Sequence, residues 1–199
     1  FPVDVSTSAI PAEVWAAASR GPALPARPAH VGLALDTDPD NSHAALVAAW
    51  RDQAGHAHLE VLAVGTPADV VNAARRAGTK HRVPIAYDQI GANYDHAQTL
   101  TRLKVRTSPL HLRYMQAATA RFDRELRGGT LHHHDQDDLD AAAEGACWRT
   151  VGEGGRLFAR RTSTASVAPL VASAAAIWQY DLTTRTEGTA GATAPKTTS

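Results

Sequence analysis

The rhythm of short apolar runs between residues 30 and 90 constrains the fold most. "HVGLALD", "AALVAAWRD" and "AHLEVLAVG" follow one another with only brief polar turns between them. That spacing belongs to an antiparallel meander. The first run is too short for a helix and too uniformly apolar to keep one face in water, as expected of a strand covered on both sides. "TPADVVNAARRAG" then reads as a helix, with Thr66 as N-cap, Pro67 at the first helical position and Gly78 past its end. "RVPIAYD" returns to the strand pattern.

The remainder alternates in the same way. "ANYDHAQTLTRL" reads as a helix, "KVRTS" as a short strand, and "SPLHLRYMQAATARFDRELRGG" as a long helix closed by glycines. "DLDAAAEGACW" is a further helix, and "GRLFARRT" a strand or hairpin arm. "SVAPLVASAAAIWQYD" is a final helix with Pro169 tolerated in its first turn. Trp148 and Trp178 lie in apolar helical surroundings and read as core. Three meandering strands followed by alternating helices and strands predict an α/β domain, a ribonuclease H-like mixed sheet flanked by helices. The folded body is expected over residues 30–182. Residues 1–29 read as a linker carrying one short helix in "IPAEVWAAASR", and residues 183–199 as a disordered tail with almost nothing to bury.

Composition removes several function classes. The chain has 199 residues, with 20 basic and 20 acidic side chains, so bulk charge does not drive it onto nucleic acid. Its single cysteine, Cys147, allows no internal disulfide, which fits a reducing compartment. No apolar run approaches the roughly 18 residues of a membrane span, and the first residues do not resemble a signal peptide. There is no G-x-x-x-x-G-K-[ST] phosphate loop and no G-x-S-x-G nucleophile turn.

The chemistry-bearing residues are acids at strand ends. Asp36 closes "GLALD" and Asp88 closes "PIAYD". If those strands are neighbours, the two carboxylates meet. Bare carboxylates in contact repel, so one must take up a proton unless a cation intervenes. Mg²⁺ and Mn²⁺ prefer such oxygen ligands. A pair of such ions about 3.5–4 Å apart can activate water and stabilise the leaving oxygen of a phosphodiester. Asp36 would be the bridging ligand, on the innermost strand. The plainer alternative stays open: an Asp after a strand is also a common turn former or helix cap, and "DTDPDNS", with Asp36, Asp38 and Asp40, fits an ordinary turn. "LHHHDQDDLDAAAEGA" is the other conspicuous run. His132, His133 and His134 cannot easily converge on one ion, so this reads as a solvated loop and helix start capped by Asp137 or Asp138. Zinc is a minor reading, and His133 is a candidate for contact with DNA or with a carboxylate behind a metal. Basic residues gather in "ARRAGTKHR", "TRLKVR" and "FARRT". Singly these read as solvated faces, and together they could line one groove and grip phosphates.

At this point the residues resemble a family. "IPAEVWAAASR…HVGLALDTDPDNSHAAL", "VPIAYDQIG", "LHHHDQDDLDAAAEGA" and "RLFARRTSTASVAPLVASAAAIW" are similar, in order and spacing over residues 9–180, to the C-terminal half of large terminase subunits of tailed phages, especially those infecting actinobacteria. The resemblance implies a metal-dependent endonuclease that cuts concatemeric double-stranded DNA during packaging, with 3′-hydroxyl and 5′-phosphate ends. It implies Asp36 and Asp88 as catalytic metal ligands, Mg²⁺ or Mn²⁺, with two ions, as cofactor, and the cytoplasm of the bacterial host as location. The partners it implies are an ATPase domain preceding residues 1–29, the small terminase and the portal. His133, Leu139 and Ala143 match the family's helix-start pattern, and Pro169, Leu170, Val171 and Ala172 its final helix. One departure matters: the family's third acid aligns with Ser166 here. Asp140 or Glu153 is then a candidate to supply the missing charge. Two alternatives accompany the reading: a catalytically degenerate module that binds DNA or the portal, and another ribonuclease H-like nuclease such as a junction resolvase.

Overall fold

The computed structural model describes residues 8–190, with side chains for residues 8–184. A six-stranded sheet lies at its centre, in the order β5-β4-β1-β2-β3-β6. β1 (Gly32–Thr37), β2 (Ala44–Arg51) and β3 (Ala57–Gly65) form the expected meander. β4 (Ile85–Asp88) joins β1 in parallel, β5 (Thr107–Leu110) joins β4, and β6 (Leu131–His132) joins β3. A second, two-stranded ladder is formed by β7 (Trp148–Val151) and β8 (Gly155–Phe158). This is the mixed α/β sheet read from the sequence.

Alternate residues of each strand face opposite layers. Leu33, Leu35, Leu46, Ile85 and Tyr87 meet α2 (Pro67–His81) and α3 (Ala92–Arg102). Ala34, Val47, Ala49, Leu59 and Ala86 meet the other layer, where α6 (Ala168–Ala190) crosses β1 and β2, flanked by α4 (Leu112–Arg127) and α5 (Asp137–Gly145). With both faces covered, no strand needs a polar side, which is why β1 and β2 read as unbroken apolar runs. The small residues facing α6 let that helix lie close. At Gly32 a Cβ would come within 2.1 Å of the Ala176 carbonyl oxygen and 2.6 Å of the Tyr180 nitrogen, so only glycine fits.

Several local expectations are corrected. The short helix expected in the segment read as a linker is α1 (Ala12–Ala18), but Ala9, Ile10, Trp15 and Ala18 are buried in the main core, so this stretch packs with the body. Trp15 and Ala18 share the buried face of α1, Ile10 lies just before the helix, and the Ala9 amide donates to the Ala146 carbonyl at 2.8 Å. Gly78 does not end α2. It lies inside the helix, where a Cβ would approach Val105 to 2.8 Å, and Arg82 in the left-handed conformation (φ 55°) closes the helix. Thr66 caps it as expected, accepting from the Asp69 amide. The strand placed at "KVRTS" begins only at Thr107 and runs to Leu110, and Pro109 is accommodated because β5 is an edge strand. Trp148 is on β7 rather than a helix, and both it and Trp178 are half-buried at the core's margin. α6 continues past residue 183 to Ala190. Residues 191–199 of the expected tail lie outside the described residues.

Candidate metal centre

The register of β1 against β4 pairs Leu33 with Ile85, Ala34 with Ala86 and Leu35 with Tyr87. One step further along the same parallel ladder, Asp36 stands level with Asp88, both on the face covered by α6. The side chains do meet. Nη2 of Arg160 donates to Asp36 Oδ1 at 2.7 Å and to Asp88 Oδ2 at 3.0 Å, so one atom lies within hydrogen-bond reach of both carboxylates. Arg160 Nε completes a side-on grip on Asp36 through Oδ2 at 3.3 Å. Asp36 is 0% exposed and Asp88 5%.

The opening residues of α3 supply a further partner. Asn93 is buried, and its Nδ2 donates to Asp36 Oδ1 at 2.7 Å. Its Oδ1 is buried with no hydrogen-bond partner. At the start of α6, Ser166 Oγ donates to Asp38 Oδ1 at 2.9 Å and accepts from the Ala168 amide at 3.3 Å. Ser166, the position expected to match a third acid, therefore faces Asp38, two residues beyond Asp36 and just past the end of β1.

The electrostatics follow from burial and like charge. Desolvation raises the pKa of Asp88; Arg160 opposes this, and Asp36 adds to it. Burial also raises Asp38, eased by the Ser166 hydroxyl and reinforced by Asp36 and Asp40. For Arg160, burial works against the charge, but Asp36 and Asp88 outweigh it and its pKa is raised. The guanidinium is therefore a permanent cation between two acids.

The donor chemistry fits a hard divalent cation. Two carboxylates converge on one point, and beside them is a buried amide oxygen lacking a donor. Arg160 takes that point, and among the described residues no group of three or more His, Cys, Asp or Glu side chains is arranged to hold a metal ion. A cleft of about 390 Å³ opens next to the pair, with Ile90, Trp148 and Phe158 as apolar lining and Arg149, Arg160 and Arg161 as basic lining. Trp148 is stacked on Phe158 (4.9 Å between centroids) and capped by the Arg156 guanidinium 4.7 Å from its ring centre.

Other sequence candidates are placed elsewhere. Asp140 accepts from Trp15 Nε1 at 2.8 Å and faces His133 at 3.5 Å, away from the Asp36–Asp88 pair. Glu153 is exposed in the turn between β7 and β8. The histidines are not a solvated loop: His132, His133 and His134 are all buried. They alternate sides as a strand requires. His132 and His134 meet His56 and His58, while His133 stacks on Trp15 at 4.0 Å with Nε2 2.9 Å from the Trp15 carbonyl oxygen. Packed this way, His133 has no surface to offer DNA. Neither Asp137 nor Asp138 caps α5; the N-cap residue is Gln136, whose side-chain amide instead pairs with the backbone of Val61. The three basic groups do not share a groove. Arg82, Lys104 and Arg106 cluster where β4 and β5 begin, at the end of the strands opposite the acids, and only Arg160 and Arg161 join the site.

Sequence reasoning missed Arg160 and Asn93 as members of the site. "FARRT" reads as a basic group and as part of the resemblance, with nothing to single out Arg160, and the sole hint for Asn93 is a polar residue opening the helix after "YDQIG".

Solved structures give the same architecture. The HK97 bacteriophage large terminase superposes with a TM-score of 0.68 at 15% identity, over 85% of this chain and 43% of that one. The large terminase nuclease of thermophilic phage G20c, solved with bound magnesium, gives 0.57 at 10% identity, over 76% and 80%. The Thermus phage P74-26 large terminase nuclease domain gives 0.57 at 12% identity, over 76% and 80%. The fold is that of the phage large terminase nucleases. The present chain spans less than half the length of the HK97 protein. No family model and no curated protein sequence matches it.

Proposed function

We propose that this domain is the nuclease of a phage DNA-packaging terminase and cuts double-stranded DNA at a divalent-metal centre held by Asp36 and Asp88. The convergence of those two buried carboxylates on a single point carries the reading. Support comes from the shared fold and from the magnesium bound in the G20c nuclease. Mg²⁺ or Mn²⁺ is the proposed cofactor, as one ion or two.

When bound, such an ion supplies the Lewis acidity that activates water and stabilises the leaving oxygen of a phosphodiester. The chain's own residues do the rest. Asp36 and Asp88 furnish hard oxygen ligands, and Asn93 fixes the Asp36 carboxylate in its rotamer. Arg149 and Arg161, on the cleft wall, attract the phosphate backbone without regard to sequence. The packaging ATPase, small terminase and portal are the proposed protein partners, and the host cytoplasm the proposed location. Among the described residues no helix is long and apolar enough to cross a membrane.

Ser166 and Arg160 favour a second reading, a DNA- or portal-binding module that has lost its chemistry. Plasmid nicking in Mn²⁺ decides between them. Nicking that disappears in Asp36→Asn supports the nuclease, and wild-type protein no more active than that variant supports the binding module.

A further inference from the structure

Arg160 is not held as an ordinary surface ion pair would be. Its side chain is 10% exposed, against 1% for Asp36 and 5% for Asp88, and it spends two nitrogens on them. It also comes from outside the regular structure, in the segment that leaves β8 and leads to α6. The residue before it is pinned, since the Ala159 amide donates to the Cys147 carbonyl at 2.8 Å and the Ala159 carbonyl accepts from Ser163 Oγ at 2.6 Å. The side chain itself adjoins the cleft shared with Arg149 and Arg161. It can therefore leave the acids by rotating its own torsions, with no strand pairing broken.

We propose that Arg160 is an internal stand-in for the cation: its guanidinium and a divalent ion compete for one place between Asp36 and Asp88, and metal loads only as the arginine swings out. The inference rests on the reading of those acids as metal ligands. A guanidinium carries half the charge of a divalent ion and leaves Asn93 Oδ1 without a partner, so the substitution is incomplete. A divalent ion would complete it, yet cannot share the point with a positive group a few ångströms away. Once displaced, Arg160 joins Arg149 and Arg161 on the cleft wall, where a phosphate group can take the place of the carboxylates it has left.

The test is Mn²⁺ binding by titration calorimetry to wild-type protein, Arg160→Gln, Arg106→Gln at the opposite end of the strands, and Asp36→Asn, with far-UV circular dichroism confirming the fold of each. The expected result is that Arg160→Gln binds Mn²⁺ at least about tenfold more tightly than wild type, with Arg106→Gln unchanged. Equal or weaker binding by Arg160→Gln overturns the competition. If wild-type binding is then still lost in Asp36→Asn, the metal reading survives its failure. No Mn²⁺ binding by any of the proteins overturns both. Should Arg160→Gln not fold, wild-type protein labelled with ¹⁵N-arginine is titrated with Mg²⁺. Movement of the Arg160 Nε–H resonance as Mg²⁺ binds supports displacement, and an unmoved resonance under saturating Mg²⁺ overturns it.

Discussion

Ser166 at the head of α6 reaches across to Asp38 just beyond β1, hydroxyl to carboxylate at 2.9 Å. The serine proposed to stand where the terminase pattern has an acid is thus occupied in quieting another acid, one whose pKa burial and Asp36 already raise. Ser166→Asp removes that donor and sets a third carboxylate beside two others. Without metal the melting temperature should fall by several degrees, and Mn²⁺ should bind at least about tenfold more tightly. Calorimetry and thermal unfolding in EDTA check both halves. Unchanged Mn²⁺ affinity would reject the alignment of Ser166 with the third acid.

Asp36→Asn should abolish Mn²⁺-dependent nicking, and it should also weaken the fold. The structure buries Asp36 completely and gives it Arg160 and Asn93 as partners. Removing its charge leaves a buried guanidinium with Asp88 alone. The expected loss is about 1–3 kcal/mol, read from urea unfolding in EDTA.

Gly32→Ala should destabilise the domain by about 3 kcal/mol or more. The added methyl has no soft neighbour to push aside, because the atoms it meets belong to the α6 backbone at Ala176 and Tyr180. Chemical denaturation measures this directly, and a loss below about 0.5 kcal/mol, the usual size of a surface effect, would mean that α6 can shift without cost.

His132 makes stability depend on pH. Burial, then Arg20, His58 and His56, lower its pKa from 6.5 to about 4, with Asp52 opposing. The unfolded chain therefore binds a proton between pH 6.5 and about 4 that the folded chain refuses. Stability rises with pH through that window and is lost as pH falls through it. His132→Gln should flatten this part of the unfolding profile relative to wild type. Equal slopes for the two proteins would remove His132 as the cause.

The strands and their terminal acids were legible because covering a sheet on both faces writes itself into local sequence: "GLALD" and "PIAYD" need no partner to be read. What was illegible depends on distant pairing. Arg160 is 124 residues from Asp36, and nothing in "FARRT" says which of its charges turns inward. Three histidines in a row read as solvated because they are polar, and only the arrival of His56 just before β3, His58 on it and Trp15 of α1 makes room for them inside. Gly78 looked like a helix stop for the ordinary reason that glycines end helices, whereas here it is a notch for Val105.

The far end of α6 is fastened differently from its beginning. Arg51 grips Asp181 through Nε and Nη2 and Glu125 of α4 through both terminal nitrogens, while Arg121 takes Asp181 from the other side at 2.6 Å. The other end is seated by packing instead: Val167, Ala168, Leu170 and Ala172 at the start of the helix are closed to solvent. High salt therefore weakens the ionic fastening at Asp181 and spares the apolar seat beside the acids.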